Sequence, residues 1–151
     1  MYKNILVPVD GSSSANAAAE FACQLLASNL CESVTLLVVL SIAKALKENP
    51  IPNPTNVDEE IFKTKLRHAG REIIDQTSQL FQQKGLSART ILEMGDDPGD
   101  RIVQIAQQQN FDLIVMGNRG RSLVTELVMG SVSSKVLQNA NCPVVIFKKQ
   151  S

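Results

Sequence analysis

Short, uninterrupted apolar runs alternate along this chain with stretches whose apolar residues recur at helical spacing. "NILVPV" (Asn4 to Val9) and "SVTLLVVL" (Ser33 to Leu40) are rich in β-branched residues and show no polar alternation. Such runs suit strands buried on both faces. Between them, "DGSSSA" has turn and N-cap chemistry. A helix is predicted from Ser13 to about Ser28, with Ala15, Ala18, Ala22, Leu25 and Leu26 on one face. A long amphipathic helix is predicted over Asp58 to Lys84, its stripe formed by Ile61, Leu66, Ile73, Ile74, Thr77, Leu80 and Phe81, with Gly85 as its stop. "SARTILEM" reads as a third strand. In "GDDPGDRIVQIAQQQ", Asp97 suits an N-cap and Pro98 the first helical position. "FDLIVMG" reads as a fourth strand, Gly130 to Asn141 includes a further helix, and "PVVIFK" (Pro143 to Lys148) reads as a fifth strand. Strands that alternate with helices imply a parallel sheet covered on both faces, and right-handed crossovers make it doubly wound. Ligands of such sheets bind beyond the carboxyl ends of the strands, where the strand order reverses.

One segment breaks the pattern. In "KENPIPNPTN", Pro50, Pro52 and Pro54 exclude helix, and an irregular loop is expected from about Ala43 to Asn56. It serves either as a solvated connector or as a lid over a ligand, since long loops in compact domains are often functional.

The 151 residues suffice for one domain, and no second domain or internal repeat is visible over 1–151. Fifteen Lys and Arg balance fifteen Asp and Glu, and the charges are well mixed, which argues against a nucleic-acid partner. The apolar start of the chain is too short for a signal peptide, and no run approaches the ~18 apolar residues of a membrane span. A cytoplasmic protein without a membrane partner is expected. Cys23, Cys31 and Cys142 match no metal or redox spacing and read as small buried hydrophobes. His68, inside the long helix, reads as a solvated or partly packed side chain.

The unusual chemistry sits at two strand ends. The first strand ends in Pro8, Val9 and Asp10. The fourth ends in Met116 and Gly117, which open "MGNRGRSLVTELVMGSVSS". The spacing Gly117-x2-Gly120-x9-Gly130-Ser131 is neither a P-loop nor a dinucleotide fingerprint. Its physical logic is still that of an anion site. Gly117 and Gly120 let a loop bend so that amides face inward. Gly130 and Ser131 open a helix whose first amides lack internal partners and whose end is partially positive. Ser131 and Ser133 add hydroxyl donors. The plainer reading is ordinary loop glycines and an ordinary cap. Two glycine-bearing segments that bracket one connection at a strand end favour the phosphate. Asp10 likewise has two readings, as a ligand contact or as a cap for the next helix shared with Ser12 or Ser13.

On these residues the chain resembles the universal stress protein family, in its ATP-binding branch. Gly117, Gly120, Gly130 and Ser131 match that family's G-x2-G-x9-G-[ST] motif without a gap, and "ILVPVDGS" and "CPVVIFK" resemble its first and last strands. The resemblance implies a Rossmann-like, five-stranded sheet in the order 3-2-1-4-5. It implies that ATP, or ADP more weakly, is held with a Mg²⁺ riding on the phosphates. Pro8, Val9 and Asp10 would line the adenosine side, Val39 would offer backbone groups to adenine, and Met116 and Gly117 would lie against the ribose. Arg119, Gly120, Arg121 and Ser122 would border the phosphates, with either arginine equally suited to solvated surface. Gly130, Ser131, Val132 and Ser133 would hold the phosphates through amides and hydroxyls.

No nucleophile–base pair and no metal cluster is evident in the sequence. The expected function is therefore nucleotide-dependent regulation in a stress response, with at most slow hydrolysis. An adenylating enzyme of the ATP-pyrophosphatase type is the alternative enzyme, "DGSSSA" having a faint likeness to its loop. A protein-interaction module without nucleotide is the third reading. With the fifth strand at a sheet edge, Val144 to Phe147 would invite an antiparallel copy and a homodimer.

Overall fold

The computed structural model describes residues 1–118 and 130–148. Its elements run in the order β1 (Tyr2–Pro8), α1 (Ser13–Ala27), β2 (Cys31–Leu40), α2 (Ile42–Glu48), α3 (Asn56–Gln82), β3 (Arg89–Met94), α4 (Pro98–Gln108), β4 (Leu113–Gly117), α5 (Ser131–Asn139) and β5 (Val144–Phe147). The five strands form one parallel sheet in the order β3-β2-β1-β4-β5. This is the doubly wound, Rossmann-like arrangement with the expected strand order. Chain direction across the sheet reverses at β1 and β4, which pair through Ile5 with Leu113 and Leu6 with Ile114.

Successive side chains along each central strand enter opposite faces, as the pleat requires. Ile5, Val7, Leu36, Leu113 and Val115 pack with Ala15, Ala18 and Ala22 of α1 and with Ile74 and Phe81 of α3. Leu6, Leu37, Ile114 and Met116 face the other way, onto Ile102 and Ile105 of α4 and Val136 of α5. Burial on both faces explains why these strands read as unbroken apolar runs.

The segment expected to be irregular from about Ala43 to Asn56 is helical in its first half. Alanine, leucine and lysine are good helix formers, and the Ser41 hydroxyl accepts from the Lys44 amide at 3.1 Å to start α2. The prolines govern only the remainder, and Asn49, directly before Pro50, has left the helical region. The long helix also begins two residues early. Thr55 and Asp58 form a reciprocal capping box, Asp58 N to Thr55 Oγ1 at 3.2 Å and Thr55 N to Asp58 Oδ2 at 3.0 Å. At the other end Gly85 takes a φ of +70°, a left-handed turn that suits glycine after a helix.

Gly117 has a different purpose from the loop bending expected of it. It is the last residue of β4, and a Cβ there would lie 2.3 Å from Ser14 Oγ and 2.7 Å from the Ala15 amide nitrogen. The first turn of α1 therefore rests directly on the end of β4, and only glycine leaves room. Gly117→Ala is expected to destabilise the fold by about 3 kcal/mol, the upper part of the range for overpacking, because backbone must yield. Urea unfolding of parent and variant checks this; equal midpoints would mean that α1 yields freely at this contact.

Candidate functional site

Beyond the carboxyl ends of β1, β2 and β4 lies a crevice closed by the first turns of α1, α4 and α5. Pro8, Val9, Asp10, Val39, Met116, Gly117, Gly130, Ser131, Val132 and Ser133 all line it. Arg119, Gly120, Arg121 and Ser122 lie outside the described residues. Residues from four separate strand–helix junctions thus meet where the strand order reverses, the usual ligand position for such a sheet.

On the β1 side, Asp10 shapes the turn while Ser12 does the capping. Asp10 Oδ1 accepts from the Ser12 amide at 2.9 Å, and the Ser12 hydroxyl accepts from the Ala15 amide at 3.3 Å. Between them Gly11 has a φ of +82°, a left-handed conformation that favours glycine. Asp10 itself stays exposed on the crevice wall. Of the two readings of Asp10, the cap falls to Ser12, and Asp10 instead holds the turn that precedes it.

On the β4 side, Asn118 organises the opening. Its amide donates to the Phe147 carbonyl at 2.8 Å. Its carbonyl accepts from the Gly130 amide at 2.7 Å and from the Ser133 hydroxyl at 2.6 Å. The Ser133 hydroxyl also lies 3.1 Å from the Gly130 carbonyl. Ser133 is buried, and its single proton is committed to this backbone link. The hydroxyl expected to donate to a ligand instead fixes the entry of α5. Ser131 is exposed at the crevice.

Gly130 is the N-cap of α5 with φ −65° and ψ 157°, extended backbone open to any residue, so a left-handed requirement does not explain this glycine. What distinguishes the position is that no side chain caps the helix. α1, α2, α3 and α4 are capped by Ser12, Ser41, Thr55 and Asp97. The first intrahelical bond of α5 comes from the Ser134 amide to the Gly130 carbonyl at 3.0 Å. The amides of Ser131, Val132 and Ser133 therefore precede the helical ladder, at the partially positive end of the helix. A second polar group is left over nearby: Asn118 Oδ1 is buried without a hydrogen-bond partner among the described residues.

Several lining residues carried no separate signal in the sequence. Ser12 read only as a candidate helix cap and Ser41 carried no reading; Ser41 donates to the Asp96 carbonyl at 3.2 Å. Lys44 comes from α2, the helix hidden by the proline-rich stretch. Pro98 and Ile102 come from α4, and Asn118 stands inside the glycine-bearing segment, unremarked between Gly117 and Arg119. Among the described lining residues Asp10 is the one carboxylate and Lys44 the one cation, with no histidine or cysteine. Among all described residues, no three His, Cys, Asp or Glu side chains gather as a metal site, and no helix is long and apolar enough to cross a membrane. His68 is exposed beside Glu72 at 3.2 Å, far along α3. Cys23 and Cys31 are buried free thiols whose pKa values burial pushes up, and Cys142 is half-buried.

At the rim, Lys135 of α5 reaches Asp97, the N-cap of α4, at 2.5 Å. The hydrogen bond from Lys135 holds the Asp97 carboxyl below its ordinary range, helped by the Asp100 amide. A carboxylate with a depressed folded-state pKa contributes its stability fully above the unfolded value of about 3.9 and loses it as pH falls through the folded value. The link is therefore intact at neutral pH.

A five-stranded, doubly wound parallel sheet in this order, with a crevice at its switch point, defines a class of small Rossmann-like α/β domains. Within that class, the chain belongs to the universal stress protein family, whose profile it matches over residues 1–148. It is 35% identical over 147 residues to a universal stress protein of Methanothermobacter thermautotrophicus, covering 95% of this chain and 94% of the relative. Its fold superposes on MJ0577 of Methanocaldococcus jannaschii with a TM-score of 0.80 at 28% identity, over 100% of this chain and 99% of that one. It also shares its fold with the Archaeoglobus fulgidus universal stress protein in complex with dAMP, with a TM-score of 0.65 at 23% identity, over 97% and 98% of the two chains.

The Asn118 link yields a specific expectation. Ser133→Ala leaves the Asn118 carbonyl with one donor fewer and should cost about 1 kcal/mol of stability, with faster hydrogen exchange at the Gly130 amide. Exchange measured by NMR on both proteins checks this; unchanged protection at Gly130 would mean that its own bond to Asn118 suffices.

Proposed function

We propose that this protein binds an adenine nucleotide, ATP in preference to ADP, in the crevice at the ends of β1 and β4, and acts as a nucleotide-dependent regulator in a stress response. The observation that carries the reading is the α5 N-terminus, uncapped and directed at the crevice beside the glycine-bearing connection. A phosphate satisfies such a helix end in both hydrogen bonding and charge. Ser131, Val132 and Ser133 would supply amides, Ser131 a hydroxyl, and Gly130 the clearance. Pro8, Val9 and Val39 offer an apolar wall and backbone groups for adenine, with Asp10, Met116 and Gly117 towards the ribose. Gly120 completes the motif, and Ser122, with Arg119 or Arg121, would border the phosphates. The nucleotide held by the Archaeoglobus relative agrees in chemical class.

With no metal cluster among the described residues, a Mg²⁺ would come with the phosphates, supplying charge neutralisation there. A lining without histidine or cysteine supports binding over catalysis, with hydrolysis slow at most. The three free thiols fit a reducing, cytoplasmic setting. The proposal includes a homodimer through β5. That strand lies at the sheet edge, paired with β4, and its four apolar residues are only half-buried although the Phe21 ring packs at a tilt against Phe147, 5.2 Å between centroids. An edge of this kind can pair with its copy across a two-fold axis.

Calorimetry should give micromolar or tighter affinity for ATP, about −8 kcal/mol or better. Gly130→Val should abolish binding, its backbone angles being open to valine, and circular dichroism on the variant checks that the fold accepts a larger side chain at this buried position. Ser131→Ala should weaken binding by about 1 kcal/mol. Absence of heat with ATP, once copurified nucleotide has been removed, would sink the reading. For the dimer, sedimentation velocity should show a species of twice the chain mass, and a lone monomer at tens of micromolar protein would refute it.

A further inference from the structure

Lys135 lies on α5 one turn beyond Ser131, just behind the crevice. Its ammonium is 2.5 Å from Asp97 Oδ2 and 3.5 Å from Asp100 Oδ1, two carboxylates in the first turn of α4. The intervening residue Gly99 makes this reach possible. A Cβ at Gly99 would lie 3.0 Å from both Cβ and Cδ of Lys135, so the lysine stem rests flat on the glycine backbone. Pro98, between Asp97 and Gly99, lines the same crevice as Ser131. The two acidic groups of α4 and the start of α5 are thus linked through Lys135, beside the crevice that Pro98 and Ser131 both line. Left unpaired, the carboxylates would oppose any multiply charged anion at the α5 N-terminus.

We infer that Lys135 is a positioning residue for the phosphate end of the site: by drawing Asp97 and Asp100 onto its ammonium it screens their charge from the bound phosphates. It thereby sets how strongly the crevice prefers a polyphosphate over a monophosphate. This rests on the nucleotide reading above. A merely structural strut between α4 and α5 would act on all ligands alike and would not respond to salt. A screening pair acts in proportion to ligand charge and fades as salt rises.

The test is Lys135→Met, titrated calorimetrically with adenosine, AMP and ATP at low and high salt, beside a triple variant that adds Asp97→Asn and Asp100→Asn. Asparagine preserves the N-cap of α4. Lys135→Met should weaken ATP about three- to fivefold at low salt, in the range of exposed ion pairs, AMP less and adenosine not at all. The triple variant should recover the parent affinity for ATP, and high salt should erase the differences. Equal losses for all three ligands, an ATP loss indifferent to salt, no loss, or a triple variant as weak as Lys135→Met would each overturn the inference. A parent that binds ATP in any of those cases leaves the nucleotide reading standing. A parent that binds none of the three ligands removes both.

Discussion

One carbonyl holds this site together. The Asn118 oxygen receives both the Gly130 amide and the Ser133 hydroxyl, while the Asn118 amide is bound to β5 through Phe147. The end of β4, the start of α5 and the end of β5 are therefore tied at a single residue. On the opposite side of the same strand end, the first turn of α1 rests on Gly117 with no space for a side chain. Two helix N-termini are fixed against β4 in this way, one capped by Ser12 and the other left without a side-chain cap. The contrast follows from sequence: a hydroxyl stands at the cap of α1, and glycine at the cap of α5.

The consequence is a crevice that presents the first amides of α5, unpaired among the described residues. Amides at a helix end recognise charge and tetrahedral shape without a titratable group of their own. The crevice pairs no histidine or cysteine with its single carboxylate among the described residues.

Much of this was legible in the chain. The apolar runs marked the strands because burial on both faces removes polar alternation, and Asp97-Pro98 and Gly85 marked helix limits by their own backbone chemistry. The glycine spacing pointed to the lining residues at β4 and α5, and the family resemblance implied those at β1 and β2. Other features were hidden for physical reasons. Three prolines masked α2, whose start depends on a serine cap that looks like any loop serine. Gly117 looked like a loop glycine because its constraint comes from Ser14 and Ala15, about a hundred residues away in sequence. The hydroxyl of Ser133 looked available because its acceptor, Asn118, is brought to it only by the fold. The pairing of Lys135 with Asp97 spans 38 residues and has no local periodicity to announce it.

The central claim is that anions are held by the open amides of α5. Amide chemical shifts in ¹⁵N-labelled protein, followed while ATP is added, test it most directly. The account predicts that the largest changes fall on Ser131, Val132 and Ser133, with smaller ones at Val9 and Val39, where adenine would lie. Changes confined to other surfaces, with the α5 amides unmoved at saturation, would contradict it.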